Sequence, residues 1–221
     1  MKLGDYLRHY DSLASEQRLV ELPGRREQVL REIGRGKKVL DLGCLGGQFS
    51  KLIKDQNNDV YGVELNSRAA AEADKRGIRV KLFDLNDGIP FEDGFFDAVF
   101  AGEVLQFLFD TKFLFEECNR VLKPKGILIF TTPNMNSLSN RLRVLAGGYP
   151  RHLGAFPEDH AGRHVRIMNL QKIRELCQHT GFRVSNVTGL SMTPRALLTP
   201  LVSLAPQLGD FLIVRAQRVD D

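Results

Sequence analysis

A cluster of glycines follows the first strongly apolar run of the chain. Residues 38–50 read KVLDLGCLGGQFS, and a short buried strand is predicted to meet Gly43, Gly46 and Gly47 before a helical pattern begins. Glycine has no side chain, so a ligand can approach the backbone closely. The turn is expected to present backbone N–H groups and a helix N-terminus, which suit a carboxylate, a phosphate or a ribose.

Three acidic residues stand at the carboxyl ends of the first three predicted strands: Asp41, Glu64 and Asp84. In open α/β sheets, ligands bind at the edge where the carboxyl ends of the strands lie. Glu64 lies about twenty residues beyond the glycine turn, the spacing from which a carboxylate accepts hydrogen bonds from ribose hydroxyls. The pattern indicates a nucleoside and does not by itself say which one.

A second polar segment, at 151–166, reads RHLGAFPEDHAGRHVR and contains His160 and His164. An imidazole titrates near neutral pH, so either histidine is a candidate general base for a substrate hydroxyl. Their spacing also allows a metal site with Asp159, and surface or structural polar contacts are the third interpretation. Five arginines and two acids lie between positions 141 and 166. This excess of arginine indicates either a lid that attracts an anionic group or an ordinary polar loop, and the sequence favours neither interpretation over the other.

Apolar periodicity predicts the elements that position these residues. Strands are predicted at 59–65, 78–83, 96–102, 126–132, 182–187 and 211–217. Helices are predicted between Asn66 and Gly77 and at 113–122, 137–146 and 169–181. The continuous apolar run of 126–132 predicts a strand that is buried on both faces.

The first 36 residues have helical rather than strand periodicity. One or two helices are predicted there, against the sheet edge or over the mouth of the ligand site. Tyr6 and Tyr10 would share one helix face. They are expected either to close over a substrate or to pack as ordinary aromatic residues.

Composition indicates an ordinary globular protein. A chain of 221 residues with 43% hydrophobic and 26% charged residues is expected to form about one domain. Cys44, Cys118 and Cys177 lack metal-site spacing, and their odd number favours reduced thiols and a cytoplasmic location. The polar start predicts no signal peptide, and no stretch predicts a membrane span. A net charge of +4 permits anionic substrates without requiring them.

The order acid-x-Gly-x-x-x-Gly at 41–47 resembles motif I of the class I S-adenosylmethionine (SAM)-dependent methyltransferases. The usual form is D-x-G-x-G-x-G, and Leu45 stands where the family has its middle glycine. The segment 84–108 continues the resemblance, with an acid after the third strand, the Pro90–Phe91 turn and the F-D-x-V sequence at 96–99. LKPKG at 122–126 is similar to the segment that commonly forms the turn before the fifth strand in this family, so a turn is expected there. TTPN at 131–134 is also similar to the family.

The resemblance implies an α/β fold, a Rossmann-like doubly wound sheet of seven strands in the order 3-2-1-4-5-7-6. The last strand is antiparallel and helices cover both faces. It implies one methyltransferase domain over 1–221. Within it we expect an N-terminal helical cap at 1–36, a SAM-binding core at 37–133, a substrate lid at 134–168, and a C-terminal helix and strands at 169–221.

The resemblance also implies a reaction. A methyl group would pass from SAM to an O, N or C nucleophile of a small molecule, anionic or lipid-like, with release of S-adenosylhomocysteine. Gly43 to Gly47 would hold the methionine portion, Glu64 the ribose, and Asp84 with Leu85 the adenine. The full set of expected cofactor contacts is Asp41, Gly43, Cys44, Leu45, Gly46, Gly47, Glu64, Leu65, Asp84, Leu85 and Ala101.

One departure from the family concerns metal binding. Many relatives have a Glu-His pair in E-V-x-E-H-L, whereas this chain has Gln106 and Phe107 at those positions. Gln and Phe cannot replace the pair as metal ligands, so a metal-dependent mechanism is disfavoured and no metal is expected. Phe107 is expected to line an apolar wall.

Other functions stay open at this point. One alternative is a non-catalytic subunit that binds SAM or another nucleoside. An NAD-dependent oxidoreductase is disfavoured because G-x-G-x-x-G spacing is absent. Nucleic acid is not an expected partner, since no basic stripe interleaved with aromatic residues and no N-P-P-[YF] motif occur. A homodimer through the 134–168 lid or the apolar segment at 191–209 is a further hypothesis.

Overall fold

The chain forms one seven-stranded sheet. A computed structural model describes residues 24–151, 153, 164–192 and 195–219, and the predicted features at 1–23 and 154–163, including Tyr6, Tyr10 and His160, lie outside the described residues. The strands are β1 (Lys38–Leu42), β2 (Asp59–Glu64), β3 (Arg79–Leu82), β4 (Phe96–Gly102), β5 (Leu122–Pro133), β6 (Phe182–Leu190) and β7 (Phe211–Arg218).

Helices alternate with these strands along the chain. The described α-helices are α1 (Arg25–Ile33), α2 (Gln48–Lys54), α3 (Ser67–Lys75), α4 (Thr111–Val121), α5 (Leu138–Leu145), α6 (Leu170–His179) and α7 (Arg195–Leu204). The described residues also form two short 3₁₀ helices, at Leu105–Phe107 and Pro206–Leu208.

The strand order is β3-β2-β1-β4-β5-β7-β6, as predicted. β7 pairs antiparallel with β5 and with β6, whereas β1 to β5 pair in parallel. Leu42 lies opposite Val63 on one side and Ala101 on the other, so β2 and β4 flank β1. Because the chain winds outward to β3 and then returns beside β1, the ends of β1 and β4 form the switch point where such sheets bind ligands.

Two apolar clusters hold the helices to the two faces of the sheet. The larger includes Leu42, Phe96, Phe115 and Phe130, with α4 and α6 contributing to it. The other includes Val29, Val39, Ile53 and Ile129, which join α1 and α2 to the opposite face. The strands near the switch point are therefore buried on both faces, as expected for parallel sheets.

Local sequence explains where α3 begins. The Asn66 side chain accepts a hydrogen bond from the Ala69 N–H at 2.7 Å, which caps the helix as predicted. Gly77 follows the helix with a φ of 74°, a left-handed conformation that favours glycine.

The start of β5 differs from the prediction. We expected 122–126 to form a turn before the strand, but the strand begins at Leu122, which pairs with Phe96, and regular pairing resumes only at Ile127 opposite Ala98. Lys125 has a φ of 61° within this irregular stretch. The segment is a bulge inside the strand, because its first residue already pairs with β4.

None of the described helices has both the length and the apolarity needed to cross a membrane.

Candidate active site

The glycine turn connects β1 to α2 and is fastened to β2. The N–H groups of Gly43 and Cys44 both donate to the Val63 carbonyl, at 2.9 and 3.2 Å. Gly43 has a φ of 65°, and a Cβ there would lie 2.9 Å from the Val104 side chain. Glycine is therefore required at position 43 both by conformation and by the close approach of the β4 end.

Leu45 stands where the family motif has its middle glycine, and it has a left-handed backbone conformation. Its φ is 48°, in a region that a leucine seldom adopts. Its N–H donates to the Glu64 Oε2 at 2.9 Å, which holds the turn against the end of β2. This position therefore combines a backbone conformation that favours glycine with a leucine side chain.

Gly46 and Gly47 have different roles. Gly47 has a φ of 76°, and a Cβ there would meet the Cα of Ala73 at 2.9 Å, so this glycine lets α2 and α3 approach each other. A Cβ at Gly46 would meet only the movable Gln48 amide, at 3.1 Å. The Gly46 carbonyl accepts a hydrogen bond from Arg76 at 2.8 Å, which ties the turn to α3.

Glu64 is the buried carboxylate at the end of β2. Its Oε1 accepts from the N–H groups of Leu65 and Asn66 at 2.9 and 2.8 Å, and its Oε2 accepts from Leu45. Burial raises the pKa of Glu64, while these three N–H donors lower it. A carboxylate offers about four acceptor positions, so one on Oε2 is left for a ligand hydroxyl.

Asp41 is also buried, at the end of β1. Its Oδ2 accepts a hydrogen bond from the Ser50 hydroxyl at 2.6 Å, linking the strand to α2 across the turn. Burial raises the pKa of Asp41 to about 7, the Ser50 bond lowers it, and the charge of Glu64 raises it further. The Asp41 carboxyl group is therefore costlier to ionise than an exposed aspartate.

The Cys44 side chain belongs to the apolar core. Its sulfur lies 2.6 Å from the position that a Cβ on Gly62 would take, so it packs directly on β2. Burial raises the pKa of the Cys44 thiol well above its usual range, as the charges of Asp41 and Glu64 also do. The thiol also donates a weak hydrogen bond to the Leu45 carbonyl within the turn, at 3.8 Å.

Asp84 and Leu85 follow the end of β3. The Phe83 N–H donates to the Glu64 carbonyl at 3.0 Å, so the segment begins directly beside β2. Asp84 is half-buried and its Oδ1 accepts from the backbone and side-chain N–H groups of Asn86, both at 2.9 Å. Leu85 is buried, whereas Leu65 at the neighbouring strand end is 36% exposed.

The structure thus brings together most of the predicted cofactor contacts. Direct hydrogen bonds join the glycine turn, Glu64 and Leu65, and strand pairing places Ala101 beside Leu42. Ala101 is buried at the end of β4. Asp84 belongs to the same sheet edge, one strand beyond Glu64.

Of the two candidate histidines, His160 and His164, only His164 is among the described residues. His164 is half-buried, and its ring centroid lies 5.2 Å from that of Phe107 with the planes at 69°. Phe107 therefore faces this histidine rather than a purely apolar wall. His160 lies outside the described residues.

A polar cluster that the sequence did not indicate lies at the ends of β4 and β5. Arg25 donates through Nη2 to the Glu103 Oε1 at 3.0 Å and to the Thr131 Oγ1 at 2.6 Å. Gln106 donates to the other Glu103 oxygen at 3.2 Å. Arg25 lies 78 residues from Glu103 along the chain, so no local pattern connects them. Glu103 has a left-handed φ of 58°, which no feature of the sequence predicted.

The site fits a nucleoside joined to an amino acid. Glu64 keeps an acceptor position for a ribose hydroxyl, and Asp84 is an acceptor at the next strand end. Gly43 and Gly47 keep the turn free of side chains at places where a Cβ would collide with neighbouring residues. Within residues 24–151, 153, 164–192 and 195–219, no group of three His, Cys, Asp or Glu side chains is arranged to hold a metal.

Comparison with known proteins finds similarity to methyltransferases. Residues 40–130 match the model of the methyltransferase domain. The chain is 25% identical over 198 residues to a ubiquinone biosynthesis O-methyltransferase of Chromobacterium violaceum, covering 84% of this chain and 80% of the relative. It is 30% identical over 170 residues to a probable SAM-dependent methyltransferase of Mycolicibacterium smegmatis, covering 75% of this chain and 61% of the relative.

A solved structure agrees at the level of the fold. A SAM-dependent methyltransferase of Thermotoga maritima, described as a possible histamine N-methyltransferase, superposes with a TM-score of 0.68 at 19% identity, and the match covers 97% of each chain. The matched methyltransferase domain and the methyltransferase relatives support SAM as the cofactor, so neither the NAD-dependent nor the binding-only alternative is retained. The matched domain, the relatives and the shared fold together support a class I SAM-dependent methyltransferase.

Proposed function

We propose that this methyltransferase transfers the methyl group of SAM to a hydroxyl oxygen of a small molecule. The observation that carries the proposal is the similarity, over most of both chains, to a relative named as an O-methyltransferase. Of the O, N and C nucleophiles that the sequence left open, the oxygen is the one this relative favours. The acceptor class, anionic or lipid-like, stays part of the proposal.

The proposed cofactor contacts follow the geometry of the strand ends. Gly43, Gly46 and Gly47 with the backbone of Cys44 and Leu45 would hold the methionine portion. Glu64 would hold the ribose through its remaining acceptor position, with Leu65 beside it. Asp84 and Leu85 would hold the adenine, Ala101 would leave room beside the sulfonium, and Asp41 would support the turn through Ser50.

The bound cofactor supplies an electrophilic methyl group on a sulfonium and leaves as S-adenosylhomocysteine. The protein's part is to align the acceptor oxygen and to exclude water. The ends of β4 and β5 are suited to this, because Thr131, Thr132 and Asn134 are all buried there. Asn134 donates to the carbonyls of Gln207 and Gly209, both at 2.8 Å, which fixes the segment after β5.

The proposed lid at 134–168 is anchored beside this edge at both of its ends. The Met135 N–H donates to the Met168 carbonyl at 3.2 Å, and the Val165 N–H donates to the Gln106 carbonyl at 2.7 Å. These bonds support a role for the segment near the acceptor. We keep the division of the single 1–221 domain into cap, core, lid and C-terminal parts as a proposal.

Exposed apolar residues on α5 and in the segment after it support a lipid-like acceptor or a partner surface. Leu142, Val144, Leu145 and Tyr149 are all more than half exposed, and arginines at 141 and 143 lie among them. The homodimer through this segment or through α7, where Leu204 is 87% exposed, stays a prediction. Sedimentation velocity at two protein concentrations tests it.

The proposed function is tested by radiolabel transfer from methyl-labelled SAM to matched acceptors. The panel pairs hydroxylated aromatic compounds with the corresponding amines, in anionic and neutral forms, and adds a nucleic-acid sample. We expect label in the hydroxyl compounds as ethers and none in the nucleic acid. Label in the amines alone would contradict the proposal.

A further inference from the structure

The strongest feature outside the cofactor contacts is the polar cluster at the ends of β4 and β5. Both Glu103 oxygens are engaged, Oε1 by Arg25 at 3.0 Å and Oε2 by Gln106 at 3.2 Å. The three side chains come from α1, from the residue after β4 and from the 3₁₀ helix. The Arg25–Glu103 ion pair and the Gln106–Glu103 hydrogen bond together join three separate elements around one carboxylate. These two contacts fix the position of the carboxylate closely.

The backbone of Glu103 is held in an unfavourable conformation. Its φ of 58° lies in the left-handed region, which a glutamate seldom adopts. The Glu103 N–H donates to both the carbonyl and the hydroxyl of Thr131, each at 3.1 Å, which holds this conformation in place. Strain of this kind occurs at functional sites, where it directs a side chain that a relaxed backbone would point elsewhere.

Two atoms of the cluster have no partner. Arg25 Nη1, a donor, and Gln106 Oε1, an acceptor, are buried without a hydrogen bond in the described part of the chain. Arg25 is 7% and Gln106 3% exposed. Buried polar groups in folded proteins are nearly always paired, so an unpaired donor and an unpaired acceptor beside one carboxylate indicate that a bound molecule completes the cluster.

The cluster adjoins the cofactor turn. Val104, the next residue after Glu103, has its side chain 2.9 Å from where a Cβ on Gly43 would lie. Ala101, the proposed neighbour of the sulfonium, is two residues before Glu103 in the same segment. The backbone of Glu103 therefore lies at the same strand end as the glycine turn, because Ala101 pairs with Leu42 and Val104 contacts the turn.

We propose that Glu103 is the catalytic base that takes the proton of the acceptor hydroxyl, and that Arg25 and Gln106 are its positioning residues. This inference rests on the proposed O-methyl transfer. The hydroxyl oxygen bonds to the methyl carbon, the carbon–sulfur bond breaks with its electron pair passing to sulfur, and the hydroxyl proton moves to a Glu103 oxygen. The proton then passes to solvent when the product leaves.

The charges around Glu103 suit a base. Burial raises the pKa of its carboxyl group, and the Arg25 guanidinium, Thr131 and Gln106 lower it. Of these three neighbours only Arg25 is charged, so it controls when the carboxylate is available. A base with a raised pKa takes a hydroxyl proton more readily than an exposed carboxylate does.

The test compares Glu103→Gln with Glu116→Gln, an exposed glutamate on α4, in label transfer to the hydroxyl acceptors of the panel. Loss of a general base lowers kcat by about 10²–10⁴-fold. We expect that loss in Glu103→Gln, SAM affinity within about twofold of wild type, and no change in Glu116→Gln. A kcat within threefold of wild type in Glu103→Gln, or a loss found instead in His164→Gln, would overturn the proposal.

Arg25→Gln tests positioning through the pH profile. Removing the guanidinium takes away the charge that lowers the pKa of Glu103, so the acid limb of kcat against pH is expected to move to higher pH. An Arg25 with only a structural role would lower stability and leave that limb in place. Arg25→Lys is expected to return the limb toward its wild-type position.

A readout without turnover uses infrared difference spectra of the protein with S-adenosylhomocysteine. Adding 4-nitrophenol is expected to increase the band of a protonated carboxyl group in wild type and not in Glu103→Gln. If Glu103→Gln fails to fold, Arg25→Met combined with Glu103→Gln removes both charges and serves in its place. An equal band in the variant would contradict the inference while leaving O-methyl transfer intact; wild-type label only in amines would overturn both.

Discussion

At the residue scale, the site depends on two carboxylates that are buried for different reasons. Glu64 accepts three backbone N–H groups and so fixes the turn and the start of α3. Asp41 has a single described hydrogen-bond donor, Ser50, and its pKa is raised by burial to about 7. Glu64 is compensated by its surroundings, whereas Asp41 is costly to ionise.

The first prediction follows from Asp41. Its pKa rises from 3.8 unfolded to about 7 folded, so the folded state holds a proton that the unfolded state has lost between those values. Folding therefore becomes less favourable at this group as pH rises through that range, by an amount on the order of a few kcal/mol. Urea unfolding at pH 5 and pH 8 should show Asp41→Asn gaining stability relative to wild type. Parallel pH profiles would contradict this.

A second prediction concerns Leu45. A non-glycine residue in the left-handed region costs roughly 1–2 kcal/mol, part of which the greater freedom of glycine in the unfolded chain offsets. Leu45→Gly is therefore expected to raise the free energy of unfolding by up to about 1 kcal/mol and to leave SAM affinity unchanged. A loss of more than 1 kcal/mol would show that the Leu45 side chain contributes packing that its φ does not reveal.

Contacts between residues close in the chain were predictable from the sequence, whereas contacts between distant residues were not. Glu64 and the Asn66 cap follow from a strand end and a helix start within a few residues. Arg25 could not be predicted as a partner of Glu103 and Thr131, because the fold alone brings it across 78 and 106 residues. The position of Leu45 was marked by its departure from the motif, but only the structure shows its left-handed φ of 48°.

At the scale of elements, the glycine turn holds β1, α2 and α3 together. Gly47 allows α2 to lie against α3 at Ala73, and Arg76, the residue directly after α3, donates to the Gly46 carbonyl. Helix packing and the cofactor turn therefore share the same residues. A side chain added at Gly47 should therefore lower the free energy of unfolding far more than one added at Gly46.

The third prediction compares these two glycines. Gly47→Ala combines a left-handed φ with an overlap against backbone and should cost about 2–4 kcal/mol of unfolding free energy. Gly46→Ala meets only the Gln48 amide and should cost less than about 1 kcal/mol. Urea unfolding of both variants at one pH makes the comparison. Equal losses would mean that the turn is not packed on α3 as described.

Element boundaries were predictable where periodicity is strong. The Phe182 and Phe211 strands and the helix over 170–179 match the apolar pattern. The LKPKG segment was wrongly expected to be a turn, because Lys, Pro and Gly usually interrupt strands, whereas here Leu122 pairs with Phe96 before the bulge.

At the scale of the whole molecule, the switch point between β1 and β4 sets the site's location. The cofactor turn lies on one side of that point and the Glu103 cluster on the other, joined by Val104 against Gly43. Composition and periodicity could not supply this arrangement. The strand order was available only through the resemblance to the methyltransferases, since parallel pairing is non-local.

The fourth prediction is that cofactor binding stabilises the entire fold. A ligand at 100 times its Kd adds about 2.7 kcal/mol to the free energy of unfolding, which corresponds to a Tm increase of about 5–10 °C for a chain of this size. SAM and S-adenosylhomocysteine should both give this shift in a thermal melt. NAD at the same concentration should give none, and an equal shift with NAD would contradict the assignment of the cofactor.

The most direct test of the central claim is calorimetric titration of SAM, S-adenosylhomocysteine and NAD into wild type, Glu64→Ala and the exposed control Glu116→Ala. We predict micromolar binding of SAM and S-adenosylhomocysteine to wild type and to the control. Glu64→Ala should bind them about 1–3 kcal/mol more weakly, the loss expected for a buried hydrogen-bond acceptor. Absence of SAM binding in wild type, or unchanged affinity in Glu64→Ala, would contradict a cofactor site at the glycine turn and the end of β2.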